Sequence, residues 1–201
     1  MKPWHVEVFG GPVSLGDYAT VIATPDRKVR ITVWSDLRES GKIGIGSFAL
    51  ICPGVRISAA TEIVIGESCM LAHGVFITDS DWHGVYDRSL PIGSTAPVRI
   101  GNNAWIGDSA IVCKGVRIGE NSIIGAGAVV VRDIPANVVA AGNPAAVLKT
   151  LEPGRPLKTR ADWLADPGKL AAQFDLIDRH FMERNTWTGW IRSLIQPHRG
   201  D

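Results

Sequence analysis

The sequence predicts an all-β fold, a parallel β-helix of short strands wound into a triangular prism, followed by an α-helical appendage. Three observations predict it. An aliphatic residue recurs at six-residue steps, a small or β-branched residue stands four positions after each, and after Leu151 the pattern gives way to apolar residues at helical spacing.

The repeat is longest in IGNNAWIGDSAIVCKGVRIGENSIIGAGAV. Its hexads start at Ile100, Ile106, Val112, Ile118, Ile124 and Val130, with Ala104, Ala110, Val116, Ser122, Ala128 and Ile134 at the fifth place. Upstream the same frame gives Ile45, Ile51 and Ile57, slips by two residues, and continues through Ile65, Leu71 and Ile77. Leu15 and Val21 form a weaker pair before it, so the repeat covers most of residues 13 to 141. A helix is excluded, because six-residue steps with glycine at the second place would scatter the apolar residues around its surface. Three strands per eighteen-residue coil stack successive coils ~4.8 Å apart through parallel ladders. The first and fifth residues of each hexad then point inward, which makes Ile45, Ile51, Ile65, Leu71, Ile106, Ile118 and Ile124 the expected core. Residues 1 to 150 are expected to form this domain, and 151 to 201 a connector and amphipathic helices.

The rhythm breaks at ITDSDWHGVYDR. A hexad is due at position 83, yet the pattern resumes only at Ile100. Residues 83–99, with Gly84, Pro91, Gly93 and Pro97, read as a loop projecting from the prism, and loops this long in compact domains are usually functional. His83 stands at its root. An imidazole takes up and returns a proton near neutral pH, so His83 is the candidate general base; the alternative is that it caps the loop through hydrogen bonds. Asp79, Asp81 and Asp87 lie close in sequence, and any one of them could orient the imidazole or serve a turn.

The hexads, the segment DSDWHG and the run GNNAWIGDSAIVCKGVRIGENSIIGAGAVVVRDIPANVVAAGNPAAVLK together resemble the hexapeptide-repeat acyltransferases. The resemblance is to the galactoside and maltose acetyltransferases and the O-acetyltransferases of polysaccharide biosynthesis. It implies coils of left hand, whereas the general rule for parallel crossovers favours the right. It also implies an acyl-CoA-dependent O-acetyltransferase in which His83 deprotonates a hydroxyl of a sugar or glycan-type acceptor, with acetyl-CoA as donor. The family is trimeric, and its cofactor runs in a groove between two subunits. Carried onto this chain, Trp105, Asp108, Gly125 and Ala126 line that groove, and Arg132 and Lys149 meet the phosphates. The coil wants Gly125, Gly127 and Ala128 with or without a ligand, and the two cations also suit a solvated surface. Two departures stand out: Ala146 replaces an arginine in GNPAAVLK, and Cys52 in LICPGV replaces an acceptor-binding asparagine. The second departure argues against a simple sugar and for an acceptor pocket less polar than that of the galactoside enzymes. N-acylation of an amino sugar and a non-catalytic assembly scaffold are the alternative readings.

The formal charge of +1, from 21 basic and 20 acidic residues, gives no bulk attraction to nucleic acid. Cys52, Cys69 and Cys113 form no paired motif, which fits a reducing cytoplasm. MKPWHVEVFGGP is no secretory signal, and no stretch approaches the ~20 apolar residues of a membrane span. His73 reads as an outward position. A zinc site would need partners from His5, His180 and His198, all outside the regular coils, so no metal is expected.

In the tail, Asp166 is the expected N-cap and Pro167 the first residue of a helix carrying Leu170, Phe174, Ile177 and Phe181 on one face. TWTGWIRSLI places Trp187, Trp190, Ile191 and Leu194 at helical spacing. Capping the prism or packing on a neighbouring subunit is the plainest use of these helices. Peripheral contact with a membrane, through the tryptophans beside Arg192 and Arg199, is the alternative.

Overall fold

A computed structural model of the chain describes residues 3–34, 41–89, 91–182 and 186–195. It divides into two compact units, Met1–Arg160 and Ala161–Asp201.

The first unit consists of short strands in three sheets that the chain visits in rotation. Sheet A holds Val6–Phe9, Val29–Val33, Arg56–Ala59, Phe76–Thr78, Ile111–Val112 and Val129–Val130. Sheet B holds Val13–Leu15, Lys42–Ile45, Glu62–Ile65, Val98–Ile100 and Arg117–Ile118. Sheet C holds Thr20–Val21, Leu50–Ile51, Met70–Leu71, Trp105–Ile106, Ile123–Ile124, Val138–Ala141 and Ala146–Thr150. Apart from the last, each strand lies parallel to the strand one coil away, and equivalent residues stack. In sheet A, Ile31, Ile57, Ile77, Val112 and Val130 form one such column.

The hexad frame is visible in the packing. All seven expected core residues are buried, and so are Ala104, Ala110, Val116, Ser122, Ala128 and Ile134 at the fifth places. Ser122 is tolerated there because its hydroxyl donates to the Pro135 carbonyl at 2.6 Å. Where sheet B turns into sheet C, the same backbone geometry recurs, with positive φ at Tyr18, Phe48, Ser68, Asn103, Asn121 and Asn137. Asparagine tolerates that region better than most residues. Here it also builds a ladder: Asn103 Nδ2 donates to Asn121 Oδ1 at 3.0 Å, and Asn121 Nδ2 to Asn137 Oδ1 at 2.9 Å. At the N-terminal end of the same edge the rings of Tyr18 and Phe48 stack 5.4 Å apart.

The irregularities have local causes. The two-residue slip after Ile57 lengthens strands rather than a turn, since Arg56–Ala59 and Glu62–Ile65 are four residues each with Ala60 and Thr61 between them. The frame count missed Val29–Val33, although Val29, Ile31 and Val33 are buried; residues 22–28 and the segment after Val33 make both flanking connections longer than a hexad allows. Leu15 is exposed, on the strand that ends sheet B among the described residues. At the other end Ile134 makes a single bridge to Ile118 in place of a strand. Ala146–Thr150 then folds back antiparallel on Val138–Ala141, covering that edge of sheet C in a way the hexads do not announce.

The second unit contains the remainder of α1 (Arg160–Leu164), α2 (Pro167–Met182) and α3 (Trp187–Ile195). Asp166 caps α2 as expected, its carboxylate accepting from Lys169 N at 3.0 Å. Trp163 meets Phe174 edge to face at 5.9 Å, and Trp187 meets Trp190 at 6.0 Å. Phe174, Ile177, Trp187, Trp190, Ile191 and Leu194 are exposed, and the Phe181 side chain lies outside the described residues. Among the described residues no helix is long and apolar enough to cross a membrane.

Burial pushes the Cys69 thiol up from its ordinary value near 9.0 to about 11. The thiol therefore contributes its full stability below about pH 9, and this is lost as the pH rises towards 11, because the unfolded chain ionises first. Ala49 and Ala104 occupy the equivalent place in the coils on either side, so Cys69→Ala is accommodated sterically. Denaturant unfolding across that window is expected to show a shallower loss of stability in Cys69→Ala, by at most about 2–3 kcal/mol.

Candidate functional site

The long excursion leaves sheet A after Thr78 and enters sheet B at Val98. A short antiparallel neck closes it. Ser80 bridges Thr95, Asp81 N donates to Ser94 O at 2.9 Å, Gly93 N to Asp81 O at 2.7 Å, and Ala96 N to Asp79 O at 2.9 Å. A side chain at position 93 would lie 2.3 Å from the His83 carbonyl oxygen, so the backbone of His83 rests directly on Gly93. The His83 side chain is exposed.

The three aspartates have separate employments. Asp79 is fully buried and reaches back one coil, where its carboxylate accepts from Ala60 N at 2.7 Å, Thr61 N and Glu62 N at 2.8 Å, and Thr61 Oγ1 at 3.0 Å. It caps the tight turn between two long strands. Asp81 takes Lys114 Nζ at 2.6 Å on both carboxylate oxygens, pinning the neck to the following coil. Asp87 accepts from the hydroxyl and amide of Ser89, and these bonds hold its carboxyl below the ordinary range. None of the three hydrogen-bonds His83 among the described contacts.

The residues implied for the cofactor fall in different places. Asp108, Gly125 and Ala126 lie where sheet C turns into sheet A, whereas His83, Lys114 and Arg132 lie where sheet A turns into sheet B. The strands of sheet A separate the two edges. Trp105 is half-exposed on sheet C between Met70 and Ile123. Lys149 is exposed in the final strand, paired with Val139. Gly125 is demanded by the fold, because a Cβ there would come within 2.7 Å of the Ala141 Cβ. Ala126 is exposed, and next to it Gly127 has nothing within 4 Å of where a Cβ would stand. A ligand chain can approach the backbone at that point.

Two interactions escaped the sequence reading. Lys114 in VCKGV is one; aligning hexads across the excursion puts it beside the loop root. The other is a pair on the C-to-A edge, where His73 Nδ1 stands 3.5 Å from Asp108 Oδ2, while Ser109 Oγ donates to Asp108 Oδ1 at 2.6 Å. Laying LAHGVF over IGDSAI would have found it. Among the described residues no group of three His, Cys, Asp or Glu side chains could hold a metal ion.

Comparison with known proteins adds the following. Residues 97–132 match the family described as bacterial transferase hexapeptide (six repeats). The polysialic acid O-acetyltransferase of Escherichia coli O1:K1 is 37% identical over 114 residues, covering 55% of this chain and 37% of that protein. The galactoside O-acetyltransferase of Escherichia coli K12 is 41% identical over 91 residues, 44% of each chain. The chain thus spans less than half the length of either relative. The structure of AntD, an N-acyltransferase from Bacillus cereus, aligns with a TM-score of 0.60 at 16% identity, over 85% of this chain and 86% of that one. That likeness shows a shared fold.

Asp79→Ala strips three backbone amides and one hydroxyl of their acceptor and is expected to cost roughly 2–4 kcal/mol. Asp79→Asn keeps one acceptor oxygen and should lose about half as much. Equilibrium unfolding in denaturant measures both.

Proposed function

We propose that this chain, a member of the hexapeptide-repeat transferases by its residues 97–132, is an acetyl-CoA-dependent O-acetyltransferase acting on a hydroxyl of a sugar or glycan-type acceptor. The observation that carries the reading is His83, an exposed imidazole on a pinned neck at the long excursion of an otherwise regular coil. A buried or hydrogen-bonded histidine would have pointed to structure instead. The stack of coils is read as a left-handed β-helix, and the molecule as a cytoplasmic homotrimer.

Acetyl-CoA as substrate supplies the thioester carbonyl and departs as free coenzyme A. The His83 imidazole accepts the proton of the acceptor hydroxyl as its oxygen bonds to the carbonyl carbon. The carbon–sulfur bond breaks, and the imidazolium returns the proton to the departing thiolate. Acetyl ester and thiol are the products, so no further reactant is required. The open backbone beside Ala126 and Gly127 suits a thin pantetheine arm, and the exposed Arg132 and Lys149 suit its phosphates. A trimer accounts for the placement of these residues on two edges: a groove between neighbours takes the His83 edge from one chain and the Ala126 edge from the next.

Acetyl-CoA at about 100 times its Kd is expected to stabilise the fold by about 2.7 kcal/mol, read as a rise in Tm. His83→Ala should keep that rise and lose about 10²–10⁴-fold in coenzyme A release with hydroxyl acceptors. Full turnover by the variant would remove His83 from the mechanism, and an unshifted Tm in the wild type would remove the acyltransferase reading.

A further inference from the structure

An aromatic cluster includes Trp82, the residue that precedes His83 in the neck. Phe9 and Trp34 lie with ring centroids 5.3 Å apart, and Trp34 meets Trp82 edge to face at 6.2 Å. Phe9 is 60% exposed and Trp34 47%. All three belong to the edge where sheet A turns into sheet B. Each is held by regular structure. Phe9 pairs with Thr32 in the sheet, Trp34 N donates to Ala59 O at 2.8 Å, and Trp82 sits in the neck between Asp81, which Lys114 pins, and His83. Trp82 can reach Trp34 across the intervening coil because that coil turns through only Ala60 and Thr61 between its strands.

Exposed aromatic rings clustered at a candidate reaction centre mark a binding surface rather than unsatisfied core. Their order along the edge identifies what they bind. From the N-terminal coil onward it reads Phe9, Trp34, Trp82, His83, then Lys114, which pins the neck, and the exposed cation Arg132. The small residues and cations suited to a coenzyme lie on the C-terminal side of the imidazole, so the aromatic side is left for the acceptor. A pyranose ring carries an apolar C–H face that stacks on indole and phenyl faces, with hydroxyls left at its rim for the base.

We propose that Phe9, Trp34 and Trp82 form a stacking platform that receives the acceptor as a pyranose ring and presents one of its hydroxyls to His83. This rests on the acyltransferase reading and names the acceptor subsite within it.

The test uses the full chain with saturating acetyl-CoA and a panel of neutral methyl pyranosides and oligosaccharides, following coenzyme A release and tryptophan fluorescence. Trp34→Ala is expected to raise the acceptor KM by about tenfold or more while leaving kcat within about twofold and the Tm rise with acetyl-CoA unchanged. Trp34→Phe should recover most of the loss. In the wild type the sugar should change tryptophan emission, and Trp34→Ala should shrink that change and move its midpoint to higher sugar concentration. An unchanged acceptor KM in a Trp34→Ala protein that still binds acetyl-CoA overturns the platform. So does a change of mass in light scattering with KM unchanged, which would make the patch a contact between copies of the chain. Should acetyl-CoA fail to bind even the wild type, the acyltransferase reading falls, and the fluorescence titration alone then decides whether Trp34 binds a sugar.

Discussion

Every coil of the first unit rests on its neighbour through parallel backbone hydrogen bonds, and the inward residues of successive coils therefore stand on top of one another. Ile31, Ile57, Ile77, Val112 and Val130 form a continuous column because each strand of sheet A copies the register of the last. This stacking admits little local freedom. A residue that faces inward must fit both its own layer and the layers above and below, as aliphatic and small side chains at the first and fifth places do. The turns are constrained in the same way, which is why a left-handed backbone conformation recurs along the B-to-C edge and why asparagines there can join hands from coil to coil.

A fold built by repetition presents side chains outside its pattern only where repetition is suspended. The excursion between Thr78 and Val98 is such a place, and it is fastened in both directions along the stack. Asp79 holds the coil before it through the amides of Ala60, Thr61 and Glu62, and Asp81 holds the coil after it through Lys114. The acids that look in sequence like partners for His83 are thus the fasteners of its platform. A side chain that must meet a substrate benefits from a rigid root more than from a private hydrogen bond in the empty protein.

The two turn edges beside sheet A carry different side chains. One carries the aromatic cluster, the imidazole and the cations Lys114 and Arg132; the other carries the His73–Asp108 pair and the open backbone at Ala126 and Gly127. In the proposed trimer, a groove between subunits brings the second edge of one chain to the first edge of another. The second unit, with exposed apolar residues on α2 and α3, offers further surface that a single chain leaves uncovered.

Periodicity determined most of the architecture, because a six-residue rhythm is a statement about which side chains face inward, and every fifth-place residue downstream of Ile100 is buried accordingly. It also located the break and with it His83. Periodicity was blind where no rhythm exists: the strand Val29–Val33 between two long connections, and the antiparallel return of Ala146–Thr150. Only the tertiary structure decided the employment of charged and aromatic residues, since those depend on which turns stack across coils rather than on neighbours in the chain. Asp79 finds its partners 17 to 19 residues upstream, Lys114 meets Asp81 33 residues away, and Trp34 and Trp82 meet across the coil that separates them. Such pairings are set by the winding of the prism, which a linear frame count establishes only for the residues that keep its step.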